Sequence, residues 1–238
     1  MAKKIPYGLT DYVLVMTDNY YYVDKTQYIN MLEQTARFLF LIRPRRFGKS
    51  LFLSMLYCYY DVRYADKFNE LFGNQYISKH PTGEQGKYLV LYFNFSAVRG
   101  TGQALEDTFN SYAKIQMEAF ADQYASYFEP SFPKEIRELK TAASQLNFIG
   151  KRAAMLGLPI YLLIDEYDNF TNTILSSEGN NVYRALTHDS GFYRGFFNIV
   201  KAITTGPDAP VKRMFITGVS PVTLDDVTSG FNIGTNIT

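Results

Sequence analysis

Four short apolar runs mark the chain: "RFLFLIR" (37–43), "YLVLYFNF" (88–95), "IYLLID" (160–165) and "RMFITGV" (213–219). Three of them are nearly continuous, where a half-buried strand would alternate, and this is the pattern of strands covered on both faces in a parallel sheet. The intervening segments are long enough for crossover helices. "SLFLSMLYCYYD" follows the first run, with apolar residues almost all round, as expected for a helix packed tightly on the sheet. An apolar stripe through Leu105, Phe109, Tyr112 and Phe120 predicts a long helix, and the two prolines of "FEPSFP" (128–133) are expected to end that helical region. More helix is expected up to Gly157 as a C-cap, and "SGFYRGFFNIVKAITTGP" (190–207) reads as a helix with Ser190 at its N-cap. The order strand, helix, strand, helices, strand, helices, strand defines an α/β class with a doubly wound parallel sheet.

That frame gives a place to "RPRRFGKS" (43–50), the turn from the first strand into the first crossover helix. A strand-to-helix turn directs free backbone N–H groups and the positive end of the helix dipole at one spot, which makes it an anion site. Gly48, Lys49 and Ser50 fit the tail of the phosphate-binding pattern G-x-x-x-x-G-K-[ST], in which the lysine reaches the β and γ phosphates and the hydroxyl coordinates magnesium. The first glycine of the pattern is replaced by Arg43. The competing reading is a solvated basic loop.

The second element is "PIYLLIDEYDNF", which sets Asp165 and Glu166 at the end of a buried strand, where such a sheet opens onto its ligand crevice. A phosphate-loop NTPase needs an acid there to hold the Mg²⁺ shell, and an adjacent Glu can orient the attacking water. Arg45 and Arg46 either clamp phosphate oxygens or face solvent or a partner. Arg43 precedes Pro44, which holds it extended and turns it away from the nucleotide.

"RPRRFGKSLFLSML", "YYYVDKTQYI", "LIDEYDNF" and "FITGVSPVTLDD" together resemble the bacterial AAA-ATPase-like family, over essentially the whole chain. In that family the arginine in the first glycine place is the usual form of the loop. Members usually carry a C-terminal domain of the PD-(D/E)XK nuclease superfamily. The resemblance implies a P-loop NTPase fold of the additional-strand type, with the fourth strand between the two motif strands. It implies that Lys49 and Ser50 take the phosphate and magnesium roles, with Mg²⁺ held by Ser50 and Asp165; ATP is expected along the turn, at Arg45, Arg46, Phe47, Gly48, Lys49, Ser50 and Leu51. It also implies Glu166 as catalytic base and Thr217, or alternatively Ser220, as the polar sensor of the γ phosphate. "VDKT" (23–26) is the family's lead-in to the first strand; near the adenine it would have a role, and otherwise it is a helix N-cap or turn.

Composition narrows these readings. Net charge is +1 with 47% hydrophobic and 20% charged residues, so bulk electrostatics call for neither nucleic acid nor a membrane surface. A local nucleic-acid patch is a third reading, resting on Tyr57, Tyr59 and Tyr60 beside the basic turn. No apolar run reaches the ~18 residues that a membrane span needs, and Cys58, the single cysteine, suits a reduced buried thiol in a cytoplasmic protein. His80 and His188 are expected at the surface, and Asp168 has no His or Cys nearby to build a metal cage. So few residues follow Ser220 that the chain is expected to be a fragment, residues 1–238 forming the NTPase domain without the nuclease-like one. The expected function is a slow Mg²⁺-dependent ATPase that regulates a C-terminal effector, through which nucleic acid is a possible partner. The alternatives are a regulatory nucleotide-binding module without turnover and a nucleic-acid-binding module.

Overall fold

The four apolar runs become neighbouring strands of one sheet. The computed structural model describes residues 3–188, 191–220 and 234–238. In chain order the elements are α1 (Tyr12–Thr17), α2 (Gln27–Thr35), β1 (Phe38–Ile42), α3 (Lys49–Tyr60), α4 (Phe68–Phe72), α5 (Tyr76–Lys79), β2 (Leu89–Asn94) and α6 (Gly102–Gln123). They continue with α7 (Phe132–Glu138), α8 (Ala142–Met155), β3 (Ile160–Asp165), α9 (Asn169–Ser177), α10 (Asn180–Thr187), α11 (Phe192–Thr204), β4 (Val211–Gly218) and β5 (Thr235–Asn236). The strand order is β2-β3-β4-β1-β5 and every pairing is parallel. β4 therefore lies between β1 and β3, as expected.

The near-continuous apolar runs have a direct cause in the two faces of the sheet. Phe40, Ile42, Leu91, Phe93, Leu162, Ile164, Met214 and Ile216 point into one core, shared with α6, α8 and α11. Their alternates Leu39, Val90, Tyr161, Leu163 and Phe215 point into a second core built with α1 to α5. With a side-chain period of two and both faces covered, every position along the strand is apolar. The aromatic load enters these cores: Phe95, Phe109, Tyr193 and Phe196 pack edge to face at centroid distances of 5.2–6.1 Å.

Some expectations needed correction. Pro133 opens a helix instead of closing one, because it falls in the first turn of α7, where a missing N–H costs nothing. Ser190 lies outside the described residues, and the residue preceding α11 is Gly191. β5 is two residues long and pairs with Leu39 and Phe40; "TN" carries no apolar pattern to announce it. Gly157 does follow the end of α8 in the left-handed conformation, φ +66°, with Leu158 N–H donating to the Ala153 carbonyl at 2.9 Å.

Candidate functional site

β1 delivers the chain to the basic turn, and the sheet fixes where it arrives: Arg43 N–H donates to the Gly218 carbonyl on β4 at 3.1 Å. The turn then reverses through two left-handed residues, Arg46 at φ +68° and Gly48 at φ +75°. Glycine reaches that region without steric cost, whereas a side chain at 48 would also meet the Lys25 ammonium, 3.6 Å from where a Cβ would sit. α3 begins at Lys49 with no side chain capping it, so its first amides remain free to bind an anion. Lys49 folds back across the turn, and its Nζ donates to the carbonyls of Arg43 at 2.9 Å and Pro44 at 3.1 Å. The side chain is only 7% exposed and pairs with no carboxylate among the described residues. It is a desolvated cation held by neutral dipoles.

Opposite the turn, β3 ends in Asp165, which is fully buried. One carboxylate oxygen, Oδ1, accepts from the Glu166 N–H at 3.0 Å and from the Thr217 hydroxyl on the neighbouring β4. The other, Oδ2, is buried with no partner among the described residues. An unmatched buried carboxylate oxygen is costly unless something else binds it. Glu166 takes the left-handed conformation, φ +52°, a strained choice for a residue with a side chain. Burial pushes its carboxyl above the usual range, the Asp165 charge adds to that, and Lys49 and Arg45 oppose it. Both cations line the same cavity as Glu166.

The sequence assigned Asp168 no role beyond that of an acid without a metal cage. In the structure it is a buried brace: its carboxylate accepts from the N–H groups of Val219 (2.9 Å) and Ser220, and from the Asn172 amide at 2.7 Å. Ser220 is therefore tied through its backbone to the β3–α9 turn, while Thr217 is the residue that touches Asp165. Gly218 lies between them, and a Cβ there would come within 2.2 Å of the Tyr167 ring and 2.7 Å of Asp168 Oδ1. Gly218→Ala should cost about 1–3 kcal/mol of stability by overpacking. A denaturant melt showing an unchanged midpoint would contradict this.

"VDKT" also has a use that the sequence did not reveal. Asp24 Oδ1 accepts from the Thr26 N–H (2.8 Å) and hydroxyl (2.7 Å), and Asp24 Oδ2 accepts from the Tyr76 N–H at 2.6 Å. Buried Thr26 precedes α2 without capping it and instead accepts from the Ile77 N–H at 3.1 Å. This pinned turn carries Lys25 to the basic loop. The only hint in the sequence was the D-x-T spacing of a local turn.

The described structure gathers Arg45, Arg46, Gly48, Lys49, Ser50, Leu51 and Glu166 around one cavity of roughly 700 Å³. Asp165 and Thr217 are buried and are not part of its lining. Arg43 and the exposed Phe47 line a different, smaller cavity beside Lys25, so Phe47 is not brought to the same wall as the rest. Tyr59 and Tyr60 are in the core and Tyr57 is half-buried, which removes the aromatic track on which a nucleic-acid patch depended. His80 is exposed and stacks on Tyr76, and His188 is half-buried with Nδ1 against the Thr187 hydroxyl. Cys58 is buried, which pushes its thiol up to about 12. Among the described residues no helix is long and apolar enough to cross a membrane.

A parallel α/β sheet with helices on both faces, an uncapped helix after a basic glycine turn and an acid pair at a nearby strand end are consistent with a P-loop-like α/β fold. The chain belongs to the family described as "Predicted AAA-ATPase", which it matches over residues 6–228. It is also 49% identical over 55 residues to a protein of Azotobacter chroococcum mcd 1 described as "Uncharacterized protein in vnfD 5'region". That match spans 23% of this chain and 11% of the relative's length. No solved structure matches it.

Proposed function

We propose that the chain binds ATP with Mg²⁺ in the cavity between the basic turn and Glu166, hydrolyses it slowly, and thereby regulates an effector. The observation that supports this most is a pair of opposite deficits: among the described residues, Lys49 is a buried cation without a carboxylate partner, and Asp165 Oδ2, in the residue before the cavity-lining Glu166, is a buried anionic oxygen without a partner. A magnesium triphosphate supplies both an anion and a cation.

The residues fit the metal. Mg²⁺ keeps several waters and takes one or two carboxylates plus substrate phosphates, so it needs no cage of protein ligands. Asp165, through its orphaned oxygen, and the Ser50 hydroxyl would hold it. When bound, it would neutralise charge on the β and γ phosphates. Lys49 would exchange its two carbonyl partners for phosphate oxygens, and the α3 amides would take the rest. Glu166, ionised, would orient the attacking water, and Thr217 would hold Asp165 in its rotamer. The effector is proposed from the family resemblance as a C-terminal nuclease-like domain.

Turnover with and without Mg²⁺ tests the reading against a regulatory module that binds without hydrolysing. Mg²⁺-dependent binding with no release of phosphate would select the second. The arginines yield a separate prediction. Arg45 and Arg46 line the same cavity as Lys49, so Arg45→Ala and Arg46→Ala should weaken ATP more than AMP, by about 1 kcal/mol or more for each lost charged contact. The loss should be largest at low salt, where screening is least. If neither variant changes the ATP-to-AMP ratio of dissociation constants at low salt, these arginines serve an interface.

A further inference from the structure

Among the described residues, two cavities of similar size adjoin Ser50 and Glu166, and of these two one has the charge for a triphosphate. The first, about 730 Å³, is walled by Asp11, Ser54, Tyr57, Tyr92 and Asn94 and contains no lysine or arginine. The second, roughly 700 Å³, has Arg45, Arg46 and Lys49 on one side and residues 5–10 on the other. Within that segment Ile5 is 81% exposed and Tyr7 is 92% exposed, two large side chains left in water beside a cationic cavity.

The segment is held there from both ends. Tyr21 N–H donates to the Lys4 carbonyl at 2.7 Å, and the Lys4 ammonium lies over the Tyr20 ring. At the other end Asp11 caps α1, and Tyr12 N–H donates to Ser54 Oγ at 2.9 Å. Ser54 belongs to α3, the helix that begins at the basic turn. Residues 5–10 are thus anchored to the helix that begins in the basic turn.

We propose that residues 5–10 form the seat of the nucleoside, with the base lying against the side chains of Tyr7 and Ile5. This rests on the reading of the basic turn as a triphosphate site. The rival seat is a cavity of roughly 320 Å³ that includes Tyr28, Phe47 and Phe52. It touches Gly48 and Lys49 but neither Ser50 nor Glu166. A nucleotide whose terminal phosphates sit between Ser50 and Glu166, beside the three cations, continues toward residues 5–10, where the walls of the same open cavity turn from charged to apolar.

The test is calorimetric titration with two ligands, ATP and inorganic tripolyphosphate, which has no base. In the Ile5→Ala/Tyr7→Ala double variant, ATP affinity should fall about tenfold, the scale of a lost base–aromatic stack, while tripolyphosphate affinity stays within about twofold. Tyr7→Phe should keep ATP affinity, because the ring and not the hydroxyl makes the contact. Both side chains are exposed, so the variants should fold. An unchanged ATP constant in the double variant overturns the proposal, as does equal loss of both ligands or a base-specific loss in Tyr28→Ala instead. If the unaltered protein binds neither ligand, it is the triphosphate site itself that fails.

Discussion

Lys49→Ala should lower ATP affinity by about tenfold to a hundredfold, the equivalent of a charge-assisted contact of ~1.5–3 kcal/mol. The side chain already occupies the mouth of the turn, and its two carbonyl partners are neutral, so the exchange to a phosphate oxygen needs only a small movement. Isothermal titration with ATP on a variant whose circular dichroism melt shows it folded is the measurement. An unchanged dissociation constant would remove the turn from the site. AMP should respond less, because on the proposed reading the lysine meets the terminal phosphates in the cavity it shares with Glu166.

The two acids should behave differently from each other. Asp165→Asn keeps an oxygen for the Thr217 hydroxyl and the Glu166 N–H but removes a buried charge whose second oxygen has no partner. The free protein should therefore melt no lower, and even somewhat higher, while Mg²⁺-dependent ATP binding collapses; this is the inverse relation between function and stability expected of a site residue. Glu166→Gln should bind ATP normally and lose turnover by about 10²-fold or more, as befits a group that positions the attacking water. The raised pKa of Glu166 adds a pH signature. Turnover needs the carboxylate, so activity should fall on acidification at a higher pH than an unperturbed Glu would give. Equal loss of binding in both variants, with both melting lower, would make the pair structural.

The sheet was legible because its four long strands are buried on both faces, which leaves little freedom in the sequence: Phe38–Ile42 and Ile160–Asp165 are apolar up to the strand end because two cores demand it. The places of the basic turn and the acid pair were legible because each directly follows a buried apolar run, so that the end of the run marks the end of the strand. Lys25 and Asp168 were not, since each acts through tertiary placement. Nothing local distinguishes a lysine in a pinned turn from one in solvent, or an acid that receives the amides of Val219 and Ser220 from an ordinary loop residue. The same limit applied to the helix start at Gly191 and to Pro133, where one or two residues of offset change what a cap or a proline does.

The pairing of Asp165 with Thr217 joins β3 to β4, two strands that each have a hydrogen-bonded neighbour on both sides. No edge strand contributes to that clamp, so the fraying that loosens sheet margins does not reach it. The desolvation of the acid and the choice of its rotamer are completed when the sheet assembles, long before any ligand arrives. Reorganisation energy at the moment of binding is correspondingly small, and what remains to adjust is confined to the turn that carries Lys49 and to the single strained residue Glu166.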